Sequence, residues 1–264
     1  MSQAIVITGS TRGIGRCMAV EFLRRGCRVV ASGRPAEPPE DLRAALAPFD
    51  GNWTYVSCDV RSTAALENLW TEAAAFGGGV DVWINNAGRN APHEWLADTA
   101  QDPVGDLFAT NVGGVVHGSR IAARGMLAQG RGAIWNMEGL GSNDMIQVKT
   151  ILYGTSKRAL TYFTQGLAKE LEGTPVRAGR LSPGMMLTDF ITKSADGEPA
   201  PVLRDKSFRF VFNALGDRPE TVAAFLVPRM LRNRRNGAQI AWLTGPKAFA
   251  RFLLAPFRHR NLIP

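Results

Sequence analysis

Tyr153 and Lys157 are the two side chains whose types and spacing most directly suggest chemistry. They are separated by Gly154-Thr155-Ser156 inside a long helical pattern. Four residues are about one turn of an α-helix, so the phenol and the ammonium group would project from the same face. A nearby cation favours phenolate over phenol and lowers a tyrosine pKa from its usual value of about 10. The pair therefore predicts proton exchange with a carbonyl oxygen near neutral pH, although the spacing alone is common in helices.

A glycine-rich turn near the start of the chain predicts a binding site for a pyrophosphate group. The apolar run at 4–8 predicts a strand, residues 16–25 predict a helix, and residues 28–33 predict a second strand. The turn between the first strand and the helix contains Gly9, Gly13 and Gly15. Glycines let the backbone approach a pyrophosphate, whose charge is stabilised at a helix N-terminus. The spacing Gly-x-x-x-Gly-x-Gly differs from the Gly-x-Gly-x-x-Gly of the dinucleotide fingerprint.

The residues after the second strand bear on which nicotinamide dinucleotide the turn would bind. An acidic residue there would hydrogen-bond the ribose 2′-hydroxyl of NAD, whereas an arginine suits the 2′-phosphate of NADP. Here the strand is followed by Arg34, and no carboxylate comes after it before Glu37. Arg12, inside the glycine turn, adds a second cation. The two arginines predict NADPH or NADP as the cofactor, although both are also consistent with ordinary solvated surface residues.

Strands and helices alternate along the rest of the chain. Five further strands are predicted at Trp53–Ser57, Val80–Ile84, Ala133–Met137, Val176–Leu181 and Gln239–Leu243. Helices are predicted near 41–46, 63–76, 102–129, 150–171 and 219–231, and an irregular substrate lobe is predicted at about 185–216. This alternation requires a parallel, doubly wound sheet with right-handed crossovers. The predicted fold class is therefore α/β, with a Rossmann-type sheet of about seven strands, helices on both faces and a single domain over residues 1–264.

The net charge of +8 is unevenly distributed along the chain. Glu220 is the last acidic residue, and eight basic residues follow it, so the whole positive excess lies near the C-terminus. In the tail at 246–264, cations alternate with Phe249, Phe252 and Phe257, at spacings that place many apolar residues on one helical face. Three interpretations remain open: contact with an anionic membrane, an acidic protein partner, or packing of the apolar face on this domain or a sister subunit with solvated arginines. Nucleic acid is not predicted, because no recognition motif accompanies the basic residues.

The composition restricts the remaining classes of function. With 264 residues, 45% of them hydrophobic, the chain can bury a substantial core. Cys17, Cys27 and Cys58 have neither metal-binding nor CxxC spacing and are predicted to be reduced thiols. The three histidines have no ligand spacing either, so no metal is predicted. Because neither a signal peptide nor an apolar run of about 18 residues occurs, we expect a cytoplasmic protein that is at most peripheral to a membrane.

Taken together, five motifs resemble the short-chain dehydrogenase/reductase family in order and spacing, over nearly the whole chain. They are Thr8-Gly9-x-x-x-Gly13-x-Gly15, Asn85-Asn86-Ala87-Gly88, Asn111, Tyr153-x-x-x-Lys157, and Pro183-Gly184 with Thr188. The resemblance implies that Tyr153 is the proton donor or acceptor, that Lys157 binds the nicotinamide ribose and lowers the tyrosine pKa, and that Asn111 holds a water in a proton relay. It also implies a cofactor-binding set, with Asp59 and Val60 at the adenine and Thr188 at the carboxamide: Gly9, Ser10, Thr11, Arg12, Gly13, Ile14, Gly15, Arg34, Asp59, Val60, Asn86, Ala87, Gly88, Tyr153, Lys157, Pro183, Gly184 and Thr188. Family members are often dimers or tetramers, so a homo-oligomer is expected.

The loop after the fifth predicted strand departs from the family pattern. Where the family usually has a catalytic serine in an Asn-x-Ser-Ser context, this chain reads Asn-Met-Glu-Gly-Leu-Gly-Ser over residues 136–142. Ser142 is the candidate for the hydroxyl that hydrogen-bonds the substrate oxygen. The alternative is that Ser142 only fills the loop and that the site is incomplete. Glu138 is either structural or tunes the site.

This unusual loop narrows the resemblance to the chlorophyll b reductase branch of the family, as do the segments 181–189, 218–223, 226–230 and 240–244. The resemblance implies NADPH-dependent reduction of the C7 formyl group of chlorophyll b or chlorophyllide b to the 7-hydroxymethyl product. Two alternatives remain open. One is a general aldehyde, ketone or acyl-thioester reductase on the same scaffold. The other is a non-catalytic NADP-binding regulatory or scaffold protein, which the displaced serine favours.

Overall fold

In the part of the chain that the structure describes, seven parallel strands form one sheet. The structure is a computed structural model that describes residues 2–192, 198, 200–257 and 260–263. The strands are β1 (Ala4–Ile7), β2 (Arg28–Gly33), β3 (Trp53–Ser57), β4 (Val82–Asn85), β5 (Gly132–Met137), β6 (Val176–Ser182) and β7 (Gln239–Ala241). Their order across the sheet is β3-β2-β1-β4-β5-β6-β7, and every neighbouring pair is parallel. The predicted α/β fold class is confirmed. The prediction that residues 1–264 form one domain stays a prediction.

Helices cover both faces of the sheet. They are α1 (Gly13–Leu23), α2 (Glu40–Leu46), α3 (Thr63–Gly77), α4 (Gln101–Phe108), α5 (Gly114–Gln129), α6 (Ile151–Glu170), α7 (Asp189–Thr192), α8 (Lys206–Leu215), α9 (Pro219–Arg232) and α10 (Gly245–Leu254). Successive residues of a strand point to opposite faces. Ile5 and Ile7 therefore join a core with α1, α2 and α9, whereas Val6 joins a second core with α3 and α5.

Local signals explain where several of these elements begin and end. The Ser62 hydroxyl accepts a hydrogen bond from the backbone of Ala65 and so caps the start of α3. Gly78 has a φ of 68°, and this left-handed backbone ends α3 where glycine pays no steric penalty. The predicted boundaries of β2 and β3 match the structure, and those of α6 agree within one residue at each end.

Two predicted segments have a different structure from the one expected. The helix predicted at 102–129 is interrupted by a π-helical turn at Ala109–Gly113, which separates α4 from α5. The lobe predicted as irregular at 185–216 contains α7 and α8, and the Asp205 carboxylate caps α8 by accepting from the backbone of Ser207 and Phe208. Residues 193–197 and 199 of this lobe lie outside the described residues. An isolated extra residue in a helical turn leaves no mark in a hydrophobic pattern, which is why the π-turn was not predicted.

The C-terminal tail packs on the domain through two arginines and the buried Ile263, while several of its large apolar side chains are exposed. The guanidinium groups of Arg251 and Arg260 both donate to the buried carboxylate of Asp217. Phe249 and Leu253 of α10 are exposed instead. The expectation that these arginines are solvated was therefore wrong, because Asp217 supplies an acidic partner from outside the tail. Packing of the apolar face on a sister subunit stays a prediction. Arg258 and His259, also in the predicted tail, lie outside the described residues.

The order of the strands marks where a ligand would bind. β1 pairs with β2 on one side and with β4 on the other, so the chain reverses its direction of winding between them. In open α/β sheets ligands bind in the crevice beyond the carboxyl ends of the strands at such a point. Within the described residues no helix has the length and apolar character needed to cross a bilayer. The same residues include no group of three or more His, Cys, Asp or Glu side chains placed to hold a metal ion.

Candidate active site

The glycine turn fits closely between β1 and β4. A Cβ atom on Gly9, whose φ is +64°, would lie 2.7 Å from the Cα of Ala87. A Cβ atom on Gly15 would lie 2.5 Å from the carbonyl oxygen of Gly9 and 2.6 Å from Nδ2 of Asn86. Real side chains do not tolerate such distances to backbone atoms, so only glycine is compatible with this arrangement. The residues of the first and second predicted motifs, Gly9-x-x-x-Gly13-x-Gly15 and Asn86-Ala87, are thus brought together.

Hydrogen bonds from Asn86 and Thr8 hold this turn in place. The Asn86 amide donates to the carbonyl oxygens of Thr8 and Gly9, both at 2.9 Å. The Thr8 hydroxyl in turn accepts from the backbone N–H groups of Asn86 and Ala87, both at 3.0 Å. Ser10 is buried and its hydroxyl connects β1 and β2, donating to Ile7 and accepting from Ser32. The side chain of Ser10 is therefore committed to the fold, and its predicted part in cofactor binding would involve only its backbone.

The N-terminus of α1 is suited to a pyrophosphate. Arg12 occupies the capping position, its side chain makes no capping hydrogen bond, and the first turn contains no acidic residue. The free N–H groups and the helix dipole there favour an anion. A Cβ atom on Gly13 would have only Thr188 within 4 Å, at 3.7 Å, so the backbone faces open space beside a residue predicted to contact the cofactor. Ile14 is buried under the turn. Thr11, another residue of the predicted cofactor-binding set, packs against Gly33 at the end of β2.

The residues predicted to surround the adenosine lie at the ends of β2 and β3. Arg34 follows β2 and is exposed. Asp59 accepts hydrogen bonds from the backbone and guanidinium of Arg61, which hold the pKa of Asp59 below its usual range. Val60 is buried and packs on Gly114 at the start of α5. The carboxylate of Asp59 is thus fixed as an anion by Arg61, which was not predicted because exposed Asp-x-Arg pairs carry no distinctive pattern.

Tyr153 and Lys157 both lie on α6 at the carboxyl edge of β5. The Lys157 ammonium is buried, donates to the carbonyl oxygen of Met137 at 3.1 Å, and lies 5.8 Å from the centre of the Tyr153 ring. The ring of Tyr153 also packs edge-on against Phe190, with ring centres 5.6 Å apart. The predicted pair therefore shares one face of α6, with the ammonium group beneath the aromatic ring.

The electrostatics of this pair differ from the sequence prediction. Burial raises the pKa of Tyr153 above its ordinary value, where a lowered pKa was expected. Burial also lowers the pKa of Lys157 to about 8, and the nearby carboxylate of Glu138 opposes this change. The physical reason is that desolvation disfavours both charged forms, while the ammonium group bonds to Met137 rather than to the phenol oxygen. A tyrosine with a raised pKa is fully protonated at neutral pH and can act as an acid.

Asn111 lies in the π-helical turn and connects the helices around the site. It is fully buried, its Oδ1 accepts from the backbone N–H of Arg89, and its Nδ2 donates to the Arg89 carbonyl and to the Ser156 hydroxyl. A Cβ atom on Gly88 would lie 3.4 Å from Asn111 Oδ1 and 3.8 Å from Lys157 Nζ. The structure thus places Gly88, Asn111 and Lys157, three of the predicted site residues, next to one another. Single π-turns within helices often occur at functional sites.

Ser142 lies in the loop after β5, and its hydroxyl has hydrogen-bond partners within the protein. Its buried hydroxyl donates to the Lys157 carbonyl at 3.1 Å and accepts from the backbone N–H of Gly139 at 3.2 Å. The residue that faces the phenol is Gly139, because a Cβ atom there would overlap the Tyr153 hydroxyl oxygen. The prediction that Ser142 bonds the substrate oxygen stays a prediction. In this structure the only proton of the Ser142 hydroxyl is donated to the carbonyl oxygen of Lys157 on α6.

Glu138 is buried in a network that connects four elements. Its carboxylate accepts from Arg180 of β6 at 3.0 Å, from Gln239 of β7 at 2.7 Å and from Thr161 of α6 at 3.3 Å. Thr161 also lies within 3.2 Å of the carbonyl oxygen of Ser142, so the network supports the loop that faces Tyr153. Arg180, Gln239 and Thr161 were not predicted, since they lie far apart in sequence and show no local motif. The number of partners supports a structural role for this buried carboxylate, and its effect on the pKa of Lys157 supports the alternative that Glu138 tunes the site.

The segment after β6 lies beside the glycine turn, with Thr188 next to Gly13. Gly184 has a φ of +71° and lets the chain turn away from the sheet after Pro183. The backbone of Asp217 then pairs with the segment, accepting from the N–H of Leu187 and donating to the carbonyl of Met185. Burial alone would raise the pKa of Asp217, but hydrogen bonds from Arg251 and Trp242 hold it below its usual value. The C-terminal arginines therefore support the segment that contains Thr188.

Proteins of known sequence resemble this chain over most of its length. The "Probable chlorophyll(ide) b reductase NYC1, chloroplastic" of Oryza sativa subsp. japonica is 33% identical over 261 residues, covering 92% of this chain and 50% of that protein. The "Chlorophyll(ide) b reductase NOL, chloroplastic" of Arabidopsis thaliana is 34% identical over 257 residues, covering 94% of this chain and 72% of that protein. The "NADP-dependent 3-hydroxy acid dehydrogenase YdfG" of Escherichia coli K12 is 29% identical over 183 residues, covering 69% of this chain and 72% of that protein. The chain thus spans about half the length of the NYC1 proteins that it matches.

Solved structures agree on the fold. A short-chain type dehydrogenase/reductase from Mycobacterium marinum superposes with a TM-score of 0.79 at 22% identity, covering 93% of this chain and 95% of that chain. The closed form of a serine dehydrogenase complexed with NADP⁺ superposes with a TM-score of 0.75 at 24% identity, covering 89% and 93% of the two chains.

A family model described as "short chain dehydrogenase" matches residues 3–199. The matched range includes both halves of the candidate site, the glycine turn at β1 and the Tyr153–Lys157 pair on α6. Since the sheet order and the match over most of the sequence agree, the chain belongs to the short-chain dehydrogenase family of oxidoreductases.

Proposed function

We propose that this chain is an NADPH-dependent carbonyl reductase whose substrate is the C7 formyl group of chlorophyll b or chlorophyllide b. The observation that carries the proposal is the placement of the Tyr153 ring 5.8 Å from the buried Lys157 ammonium on one face of α6. A reduction needs an acid at the carbonyl oxygen, and a phenol with a raised pKa holds its proton until an alkoxide develops beside it. When bound, the reduced nicotinamide supplies a hydride to the carbonyl carbon.

The residues of the chain would bind and orient both reactants. The uncapped N-terminus of α1 would hold the pyrophosphate, and Asn86, Ala87 and Gly88 would line the path towards the nicotinamide. Tyr153 donates its proton to the developing alkoxide, and Lys157 then stabilises the phenolate electrostatically. Asn111 and Lys157 would share the water through which Tyr153 regains its proton. Because Gly139 replaces the serine, the Tyr153 phenol is the main hydroxyl donor to the substrate oxygen.

NADP rather than NAD is supported by the side chains at the end of β2. Arg34 is exposed there and Arg12 projects from the glycine turn with its side chain 74% exposed. Asp59, the nearest acidic group after β3, is paired with Arg61. Arg12 lies 3.8 Å from the Asp189 carboxylate, so the carboxylates of Asp59 and Asp189 are each paired with an arginine. A ribose 2′-phosphate would therefore meet the two cationic side chains of Arg34 and Arg12. The NADP dependence in the name of the YdfG relative agrees with this preference.

The pigment substrate is supported by the names of the NYC1 and NOL relatives and by the Glu138–Ser142 loop. An aldehyde, ketone or acyl-thioester reductase would have the same catalytic groups, so it is the second candidate. It is favoured by the identity of only 33% and 34% between this chain and the NYC1 and NOL relatives. A cofactor-binding protein without turnover would not need the Tyr153–Lys157 geometry.

Two further properties belong to this proposal. We expect a homo-oligomer, as is common in the family. We also expect peripheral contact with a membrane through a C-terminal apolar face formed by exposed side chains of α8, α10 and the turn that follows: Phe210, Phe249, Phe252, Leu253, Leu254 and Phe257. Phe210 and Phe252 lie against each other, with ring centres 6.5 Å apart, so the two helices contribute to one surface. Apolar helical faces of this kind bind at the headgroup boundary of bilayers.

The test is to incubate the purified protein with NADPH and chlorophyll b or chlorophyllide b and to follow pigment spectra and chromatography. We expect the 7-hydroxymethyl product, and we expect Tyr153→Phe to lose at least 10³-fold in turnover, at about the level of a removed general acid. NADPH binding by Tyr153→Phe, measured by nicotinamide fluorescence, should remain close to that of the parent protein. Tyr162→Phe is the matched control, because this exposed tyrosine of the same helix lies outside the site.

Three outcomes separate the candidates. Product that depends on Tyr153 supports the pigment reductase. No pigment product, but Tyr153-dependent oxidation of NADPH with simple aldehydes or ketones, supports the second candidate. Turnover that Tyr153→Phe leaves unchanged contradicts both.

A further inference from the structure

Large apolar side chains are exposed in two separate groups. One is the C-terminal apolar face. The other, which we name the loop ledge, lies on the loops after β4 and β5 and at the start of α6: Trp95, Leu96, Met145, Ile146, Val148 and Ile151. Only Leu127 and Tyr162 among the exposed large hydrophobic residues of the described chain belong to neither group. Monomeric proteins seldom expose a contiguous apolar patch without a binding role.

Direct contacts join the two loops of the ledge. The ammonium group of Lys149 lies 5.5 Å from the centre of the Trp95 ring. Leu96 from the first loop lines a small cavity together with Ile151 and Leu152 from the second. Side chains that lie far apart in the sequence thus form one surface at the carboxyl edge of the sheet.

The backbone holds the second loop in an unusual conformation. Asp144 and Lys149 both have a φ of 64°, and no other non-glycine residue in the described chain has a positive φ. They bracket Met145–Val148, whose apolar side chains point outward, and Ile146 is 91% exposed. Left-handed backbone at a non-glycine residue costs energy and persists where the surroundings fix it. Here the Arg158 guanidinium bonds Asp144 at 2.7 Å on one side, and Trp95 contacts Lys149 on the other.

The ledge adjoins the reactive phenol. Ile151 and Leu152 begin α6 two residues and one residue before Tyr153. Asp144, at the other end of the bracketed loop, is paired with Arg158 on the following turns of the same helix. Phe190 extends the apolar surroundings to the ring of Tyr153 itself. A substrate whose carbonyl reaches Tyr153 therefore has its remaining atoms beside the ledge.

We propose that the loop ledge binds the apolar body of the substrate, so that the enzyme selects carbonyl compounds attached to a large hydrocarbon or flat ring system. This proposal rests on the proposed carbonyl reductase activity, since it places the carbonyl at Tyr153. The six exposed apolar side chains offer hydrophobic area. Of the charged groups near them, Asp144 and Arg158 are already paired with each other and Lys149 lies over the Trp95 ring. Binding of an alkyl chain there should strengthen by about fourfold for each methylene that leaves water.

The experiment measures binding of straight-chain primary alcohols, from propanol to decanol, to the protein saturated with NADPH, by isothermal titration calorimetry. Alcohols are products of carbonyl reduction and need no turnover to bind. The parent protein is compared with a ledge variant, Ile146→Ser with Val148→Ser, and with a second variant, Leu96→Ser. The control is Leu127→Ser with Tyr162→Ser, which removes exposed apolar area away from the site. All five positions are exposed, so folding is expected to be retained and is checked by thermal unfolding.

We expect the affinity for alcohols to rise with chain length in the parent protein and in the control. In the ledge variants, the increase in affinity for each added pair of methylenes should be at least threefold smaller. Equal chain-length dependence in ledge and control variants would overturn the proposal. So would a parent protein that binds decanol no better than propanol. Failure of the proposed function is seen separately: if chlorophyll b is not reduced but the ledge variants lose chain-length dependence, the ledge binds the apolar body of another carbonyl compound.

Discussion

The two halves of the candidate site are held in place by different forces. At the cofactor edge, formed by β1, β2 and β4, the chain is fixed by close contacts that admit only glycine, such as Gly9 on Ala87 and Gly15 on the Gly9 carbonyl. At the substrate edge, formed by β5, β6 and β7, the chain is fixed by buried charges, such as Glu138 with Arg180. The comparison indicates that the cofactor edge depends mainly on shape, whereas the substrate edge depends in addition on the protonation states of buried groups.

The largest effect is expected at the cofactor edge from Gly15→Ala. The new methyl group would lie 2.5 Å from the Gly9 carbonyl oxygen, 2.6 Å from Asn86 Nδ2 and 2.9 Å from the Cα of Ser10. Two of these neighbours are backbone atoms, which cannot move without distorting the turn. We expect a loss of about 3 kcal/mol in the free energy of unfolding, the upper end for overpacking, measured by urea titration. NADPH affinity should fall at least tenfold, because the turn at the N-terminus of α1 would shift.

The control for this variant is Gly166→Ala. Gly166 lies within α6, and a Cβ atom there would have nothing within 4 Å. Alanine is the better helix former by about 1 kcal/mol, so this variant should be as stable as the parent protein or slightly more stable. Similar stability of both alanine variants would show that the cofactor edge tolerates a shift and would remove the contrast between the two edges.

The next largest effect is expected at the substrate edge from Gly139→Ala. The methyl group would overlap the Tyr153 hydroxyl oxygen and lie 3.2 Å from the Cγ of Lys157. The phenol is the movable partner, so the stability should change little while the proton donor is displaced. A displacement of about 1 Å can cost 10²-fold in rate, and we expect a fall of this size in kcat for carbonyl reduction. The Kd of NADPH should stay unchanged, which distinguishes this variant from Gly15→Ala.

An unchanged kcat would mean that Gly139 does not define the position of the phenol. Gly139→Ser extends the experiment, since it restores a hydroxyl at the position that faces Tyr153. If Gly139→Ser is more active than Gly139→Ala, the site has room for a second donor to the substrate oxygen. If both are equally inactive, the close contact between Gly139 and Tyr153 is itself required.

The same contrast explains what could be predicted from the sequence. Glycines at 9, 13 and 15 and the Tyr153–Lys157 spacing are local patterns, and the fold class and the elements that contain them followed from such patterns. The partners of Glu138 could not be predicted, because Arg180 and Gln239 meet it only through the pairing of β5, β6 and β7. The raised pKa of Tyr153 was missed for a related reason: the sequence shows a neighbouring cation but not the extent of burial.

The smallest expected effect is a pH dependence of stability at the substrate edge. Burial lowers the pKa of Lys157 to about 8, whereas an unfolded lysine titrates near its ordinary value of about 10.4. Between these two values the unfolded chain binds more protons than the folded protein, so this group makes stability rise with pH. Lys157→Met removes the titration. The free energy of unfolding of the parent protein, minus that of Lys157→Met, should therefore rise from about pH 8 to about pH 10.

Lys169→Met is the control for this pH dependence, because Lys169 belongs to the same helix but is exposed and paired with Glu172, which raises rather than lowers its pKa. Its difference from the parent protein should not rise over the same pH range. Other groups, including the buried thiols, titrate identically in the parent protein and in both variants and so cancel in each difference. If Lys157→Met gives a flat difference, the ammonium group is solvated in solution, and the substrate edge then depends on shape in the same way as the cofactor edge.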